Sequence, residues 1–198
     1  MIARKNLPRF AAEFSRAFEY AAKIHATQLR KETRIPYVSH LIAVAGLVLE
    51  NGGGEDEAIA ALLHDAAEDC GGRKTLAQIE RKFGRKVARI VDGCTDTYED
   101  PKPPWKPRKE KYLSRLPGEP RSVRLVSAAD KLHNARCMLA DYRAIGDELW
   151  KRFNAPPRDL LWYHRAVTEA LKKAGSNPLV EELERVVGEL ERLASKHL

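Results

Sequence analysis

Residues 61–69 read ALLHDAAED, the end of an apolar run that starts at Ile59. Four ionisable groups, His64, Asp65, Glu68 and Asp69, follow Leu63 directly. A helix that buries Ile59–Leu63 carries those charges to the edge of a core. Removing a carboxylate from water is costly unless something positive compensates it, and acids at a helix C-terminus oppose the helix dipole. His64 and Glu68 are one helical turn apart, as are Asp65 and Asp69, so each pair shares a face. An HD dipeptide alone is a common surface helix end. A divalent cation completed by ligands from elsewhere accounts for the charge better.

Two other segments offer those ligands. In AADKLHN (128–134), Val123, Val126, Asp130 and Asn134 fall on one helical stripe, which sets Asp130 on or beside a buried face. In IPYVSH (35–40), His40 stands near the start of another helix. His40, His64, Asp65 and Asp130 together make a mixed nitrogen and oxygen set suited to Mn²⁺, Fe²⁺ or Zn²⁺, with positions left for water.

Outward from this run the apolar spacing is helical almost everywhere. Phe10, Phe14, Ala17, Ala21 and Ile24 recur at three and four, and no stretch alternates as a strand would. The spacing predicts a second helix from Pro36 to Gly52, and a third from Glu55 to Gly71-Gly72. Thr75 is expected to cap a short helix through Phe83, with Gly84 separating it from the next. Residues 100–108, DPKPPWKPR, hold four prolines and read as loop. A long helix is expected from about Arg121 to Tyr142, and two more on either side of Gly175–Pro178. The fold class is all-α, a bundle of about eight to ten helices in one domain over 1–198, with a motif core at about 10–140 and C-terminal helices over 146–198.

The composition fits this. With 43% hydrophobic and 32% charged residues the 198-residue chain has material for a real core, which excludes a disordered class. No apolar stretch approaches a bilayer span, and the opening MIARKNLPRFAAEF carries no apolar signal core; a cytoplasmic protein without membrane partners is expected. Cys70, Cys94 and Cys137 form no CxxC pair, which excludes a cysteine zinc site. The net charge of +7 favours anionic partners.

Five segments carry a family resemblance: HATQLRK (25–31), IPYVSH (35–40), ALLHDAAED (61–69), FGRKVARIVDGCTD (83–96) and AADKLHN (128–134). Their order and content resemble the (p)ppGpp hydrolase domain of RelA/SpoT-type enzymes within the HD phosphohydrolases, in its stand-alone small form. The resemblance implies Mn²⁺ held by His40, His64, Asp65 and Asp130. It implies Glu68 and Asp69 as the pair that orients or deprotonates water, with Arg30 and Lys31 lining a nucleotide pocket and Asn134 on its sugar or base side. It implies removal of the 3′-pyrophosphate of (p)ppGpp. Thr27 and Leu41 depart from the family's usual Gly and Pro, and His133 reads as packing or rim.

Other positions stay open. In segment 98–118, Lys106, Arg108, Lys109 and Lys111 read either as contacts to outer phosphates or as a solvated basic loop. Tyr163 and Arg165 are candidates to close one side of the pocket, and Arg158 a weaker one. His25 reads as core or as a support to the site, and His164 and His197 belong to no constellation. The alternative substrates are (p)ppApp, a 3′-phosphorylated dinucleotide cofactor or a nucleoside monophosphate. A basic nucleic-acid-binding protein with a degenerate site would lack a ligand or the ED pair, and all six positions are present, so no nucleic-acid partner is expected.

Overall fold

The helical spacing becomes nine α-helices among the described residues, 12–195, of the computed structural model, with no strand among them. They are α1 (Ala12–Ile24), α2 (Val38–Glu50), α3 (Glu55–Leu63), α4 (Ala66–Asp69), α5 (Gly72–Cys94), α6 (Trp105–Arg115), α7 (Arg121–Ile145), α8 (Pro157–Lys173) and α9 (Pro178–Ala194). Phe10 and His197 lie outside the described residues. No helix among those described is long and apolar enough to cross a membrane.

The axis of the bundle is α7, packed against α2, α3, α5, α8 and α9. It buries Val123, Val126, Ala129, Leu132 and Ala135. Every residue of α3 from Ala58 to Leu63 is buried, which is why that run is apolar all round rather than striped. Leu62, Leu63, Leu132 and Leu183 are among the fully enclosed side chains, each stabilising the fold by roughly 1.5–3 kcal/mol. The three cysteines are free.

Three expectations change. The third helix stops at Leu63 instead of running to Gly71. Ala61's carbonyl, the acceptor a continuing helix would offer to the Asp65 N–H, takes the His64 ring N–H at 2.8 Å. His64 and Asp65 therefore sit in a break, and Glu68 and Asp69 belong to the separate short α4. Thr75 is not a cap. It lies inside α5, where its hydroxyl donates to the Cys70 carbonyl. Gly84 does interrupt that helix, with φ 87°. Residues 105–108 are helix, not loop: Pro107 occupies the first turn of α6, where a missing N–H costs nothing.

A candidate metal centre beside a basic cavity

Three elements bring the proposed ligands to one point. α2 delivers His40, the break between α3 and α4 delivers His64 and Asp65, and α7 delivers Asp130. His40 Nε2 lies 3.6 Å from Asp65 Oδ2 and 3.2 Å from Asp130 Oδ1. His64 Nε2 lies 3.0 Å from Asp65 Oδ2 and 3.7 Å from Asp130 Oδ1. His40, His64 and Asp65 each turn a donor atom to within 4.8 Å of the others.

The ring nitrogens are set for a cation. His64 Nδ1 donates to the Ala61 carbonyl, so in the neutral ring Nε2 is the bare nitrogen. His40 Nδ1 pairs with His133 Nδ1 at 2.7 Å, which leaves His40 Nε2 toward the carboxylates. Both Nε2 atoms are buried with no hydrogen-bond partner. Two orphaned imidazole nitrogens facing two carboxylates fit a divalent metal; each ring is held by a partner on its other nitrogen, and the Ala61 carbonyl is of the kind metal-ligating histidines use. His133, read from sequence as packing or rim, is one of those partners.

The electrostatics agree. Burial works against ionisation of Asp65 and Asp130, yet His64 holds Asp65 well below the carboxylate range, and Lys131 with His40 and His64 does the same for Asp130. Burial pushes His40 down, whereas for His64 the Asp65 and Asp130 carboxylates outweigh burial and raise it. Burial and His40 push His133 down to about 4, so its ring is neutral. The Tyr37 hydroxyl donates to Asp65 Oδ2 at 2.6 Å, and Asn134 Nδ2 donates to Asp130 Oδ1 at 2.6 Å. Tyr37 and Lys131 escaped sequence reading, although each stands within a turn of a ligand.

Glu68 and Asp69 line the same chamber of about 150 Å³ as Asp65 and Asp130. Asp69 is held on both oxygens, by Lys102 at 3.1 Å and Gln28 at 3.0 Å. On Glu68, Oε1 meets Lys102 at 2.9 Å, while Oε2 has only the Asp96 N–H at 3.4 Å. Burial, then Asp96, pushes the Glu68 carboxyl above its usual range.

A second cavity of about 470 Å³ shares Tyr37, Lys109, Lys131, Asn134 and Tyr163 with this chamber, and Arg30, Lys31 and Trp105 also line it. The bridge between Leu29 and Pro36 presents Arg30 and Lys31, with Arg30 donating to Asn134 at 2.9 Å and Lys31 to Asn154 at 3.2 Å. His164 lines the same cavity.

The weaker substrate candidates divide. Tyr163 forms part of the shared wall, but Lys106 turns to Asp159 at 3.1 Å and lies over the Trp162 ring. Arg108 is taken by the buried Asp96 carboxylate at 2.5 Å, a stronger partner than solvent. Arg165 is drawn to Glu191 on α9, 3.1 Å away, and does not line either cavity.

The chain is similar to several known proteins. The guanosine-3′,5′-bis(diphosphate) 3′-pyrophosphohydrolase MESH1 of Xenopus tropicalis is 38% identical over 129 residues, covering 64% of this chain and 69% of the relative. A guanosine-3′,5′-bis(diphosphate) 3′-pyrophosphohydrolase of Aquifex aeolicus is 34% identical over 133 residues, 67% of this chain and 19% of that longer protein. A probable GTP pyrophosphokinase of Mycobacterium leprae is 38% identical over 125 residues, 62% of this chain, which spans 15% of its length. A solved structure of a metazoan ortholog of SpoT that hydrolyzes ppGpp superposes with a TM-score of 0.71 at 26% identity, covering 94% of this chain and 97% of that one. The HD domain family pattern matches residues 17–153, more than half of the sequence, and the chain belongs to that family.

Proposed function

We propose that the chain removes the 3′-pyrophosphate of guanosine tetra- and pentaphosphate, consuming water and yielding GDP or GTP and pyrophosphate. The observation that carries this is the pair of orphaned histidine nitrogens facing Asp65 and Asp130, beside a chamber that shares walls with a cavity lined by cations. Relatives that resemble most of the chain, and a structure of the same fold, bear names that state this reaction.

The HD domain implies a divalent metal, and Mn²⁺ is the identity we infer for it. His40, His64, Asp65 and Asp130 would hold the ion. When bound, it supplies a Lewis acid that neutralises phosphate charge and lowers the pKa of water. Glu68, with Oε2 free of any short hydrogen bond, is the group that accepts the proton of the attacking water. Asp69, bonded on both oxygens, orients the attacking water. Arg30, Lys31 and Lys109 face the cavity and balance the nucleotide's phosphates. Tyr163 and Trp105 give its lining aromatic surface. A soluble nucleotide substrate fits a cytoplasmic location, with neither nucleic acid nor membrane required.

The test is direct. Purified protein with ppGpp and Mn²⁺ should release GDP and pyrophosphate in equal amounts, and EDTA or Glu68→Gln should abolish the release. A metal-loaded protein that leaves ppGpp intact would remove this proposal, and ppApp would be tested next.

A further inference from the structure

The segment Asp100-Pro101-Lys102-Pro103-Pro104 forms no helix, yet it sets a cation on the proposed chemistry. Lys102 Nζ lies 2.9 Å from Glu68 Oε1 and 3.1 Å from Asp69 Oδ1. Among the described residues it is the one cation hydrogen-bonded to both carboxylates; Arg108 reaches Glu68 alone, at 3.5 Å. The two acids also form a partition. They line the metal chamber, and they line a separate cleft of about 1030 Å³ that includes Lys102, whereas the metal chamber does not. Lys102 therefore grips the acids from the cleft side and leaves the metal side clear.

The backbone around it is stiff. Each proline fixes its own φ, and a residue that precedes a proline is confined to extended conformations. In DPKPP this covers every position from 100 to 104, so the ammonium docks with little loss of backbone freedom.

We propose that Lys102 is a positioning residue: held by its proline-rich frame, it clamps Glu68 and Asp69 from the outer cleft and presents them to the metal chamber as a fixed anionic pair. This deepens the hydrolase reading given above and rests on it for its catalytic consequence. The charges around Glu68 are Asp69 beside it, Asp96 after α5, Lys102, and Arg108 and Lys109 from α6, with Asp65, Asp130 and Lys131 across the chamber. Burial and Asp96 favour the protonated acid, and Lys102 is foremost among the groups opposing them.

Two variants of the whole protein, Lys102→Gln and Lys102→Arg, test this with two readouts. In a carboxyl-carbon NMR titration of the metal-free protein, the Glu68 midpoint should rise by about one pH unit in Lys102→Gln and return toward the parent in Lys102→Arg. With ppGpp and Mn²⁺, the acid limb of kcat/KM should move upward by the same amount. The loss of kcat/KM should be roughly tenfold on the acid side of that limb and fade above it, with Lys102→Arg restoring most of it. A Glu68 midpoint unmoved by Lys102→Gln overturns the proposal. So does a uniform loss of kcat with the limb in place, or a gain in activity, which would make Lys102 a latch. A wild-type protein that binds Mn²⁺ but leaves ppGpp intact sinks the hydrolase reading instead, and the titration still decides the role of Lys102.

Discussion

Asp65 and Glu68 lie three positions apart and are expected to fail differently. Asp65 faces two orphaned imidazole nitrogens, so Asp65→Ala should abolish Mn²⁺ binding by calorimetry together with turnover. Glu68 touches no ligand side chain, so Glu68→Gln should keep metal affinity and lose turnover by roughly 10²–10⁴-fold. Equal metal loss in both would end that division. His133 acts at one remove: His133→Ala frees His40 Nδ1 and should weaken Mn²⁺ binding by roughly 10–100-fold without touching the substrate cavity. The four proposed ligand positions stand out in the sequence because their residue types are conspicuous where apolar neighbours surround them. Tyr37, Lys102 and Lys131 were not, because a tyrosine or lysine in a polar stretch carries no signal until its partner is known.

At the level of elements, close approach and buried charge hold α5, α6 and α7 together. A Cβ on Gly93 would meet both Val123 methyls at 2.6–2.7 Å. Valine is stiff at χ1, so Gly93→Ala should force α5 from α7 and destabilise by about 1–3 kcal/mol, measured by denaturant unfolding. Asp96 ties the end of α5 to α6 through Arg108 and Lys109. Burial opposes its ionisation, but Lys109 and Arg108 hold it down to about 2. A depressed carboxyl stabilises above its unfolded value and loses that stability as pH falls through the folded one. Asp96→Asn should therefore cost on the order of 2 kcal/mol near neutrality, a gap that closes between about pH 4 and pH 2. A gap independent of pH would assign the loss to packing. Whereas α7 is enclosed all round over 125–130, periodicity located α8 and α9 well because each buries a clear stripe. It failed at 64–69, where a side chain competes with the helix for the Ala61 carbonyl, and at 105–108, where proline density hid a permitted first turn.

For the molecule as a whole, the proposed ligands come from α2, the α3–α4 break and α7, so a metal bound there would be thermodynamically linked to the fold. At a hundredfold excess over its Kd, Mn²⁺ should stabilise by about 2.7 kcal/mol and raise the melting temperature by several degrees. Asp65→Ala should show no such rise, and a rise in that variant would place the binding elsewhere. The all-α class was legible because one apolar core runs from α1 to α9. The shape of the cavity was not, because its walls come from α6, α7 and α8, segments joined only by the fold.

The break after Leu63 sets where this protein can change. His64 and Asp65 lie between Leu63 and Ala66, both fully enclosed, so the proposed metal centre is framed by the interior itself. The larger cavity is bounded instead by the later half of α7, the 3₁₀ turn at Gly146–Arg152 and the start of α8, with Asp141, Arg152 and Phe153 on its walls. Those three are only half-buried, so substitutions at them disturb the interior less than substitutions at His64. A lineage built on this scaffold is thus free to exchange its nucleotide while inheriting its chemistry intact.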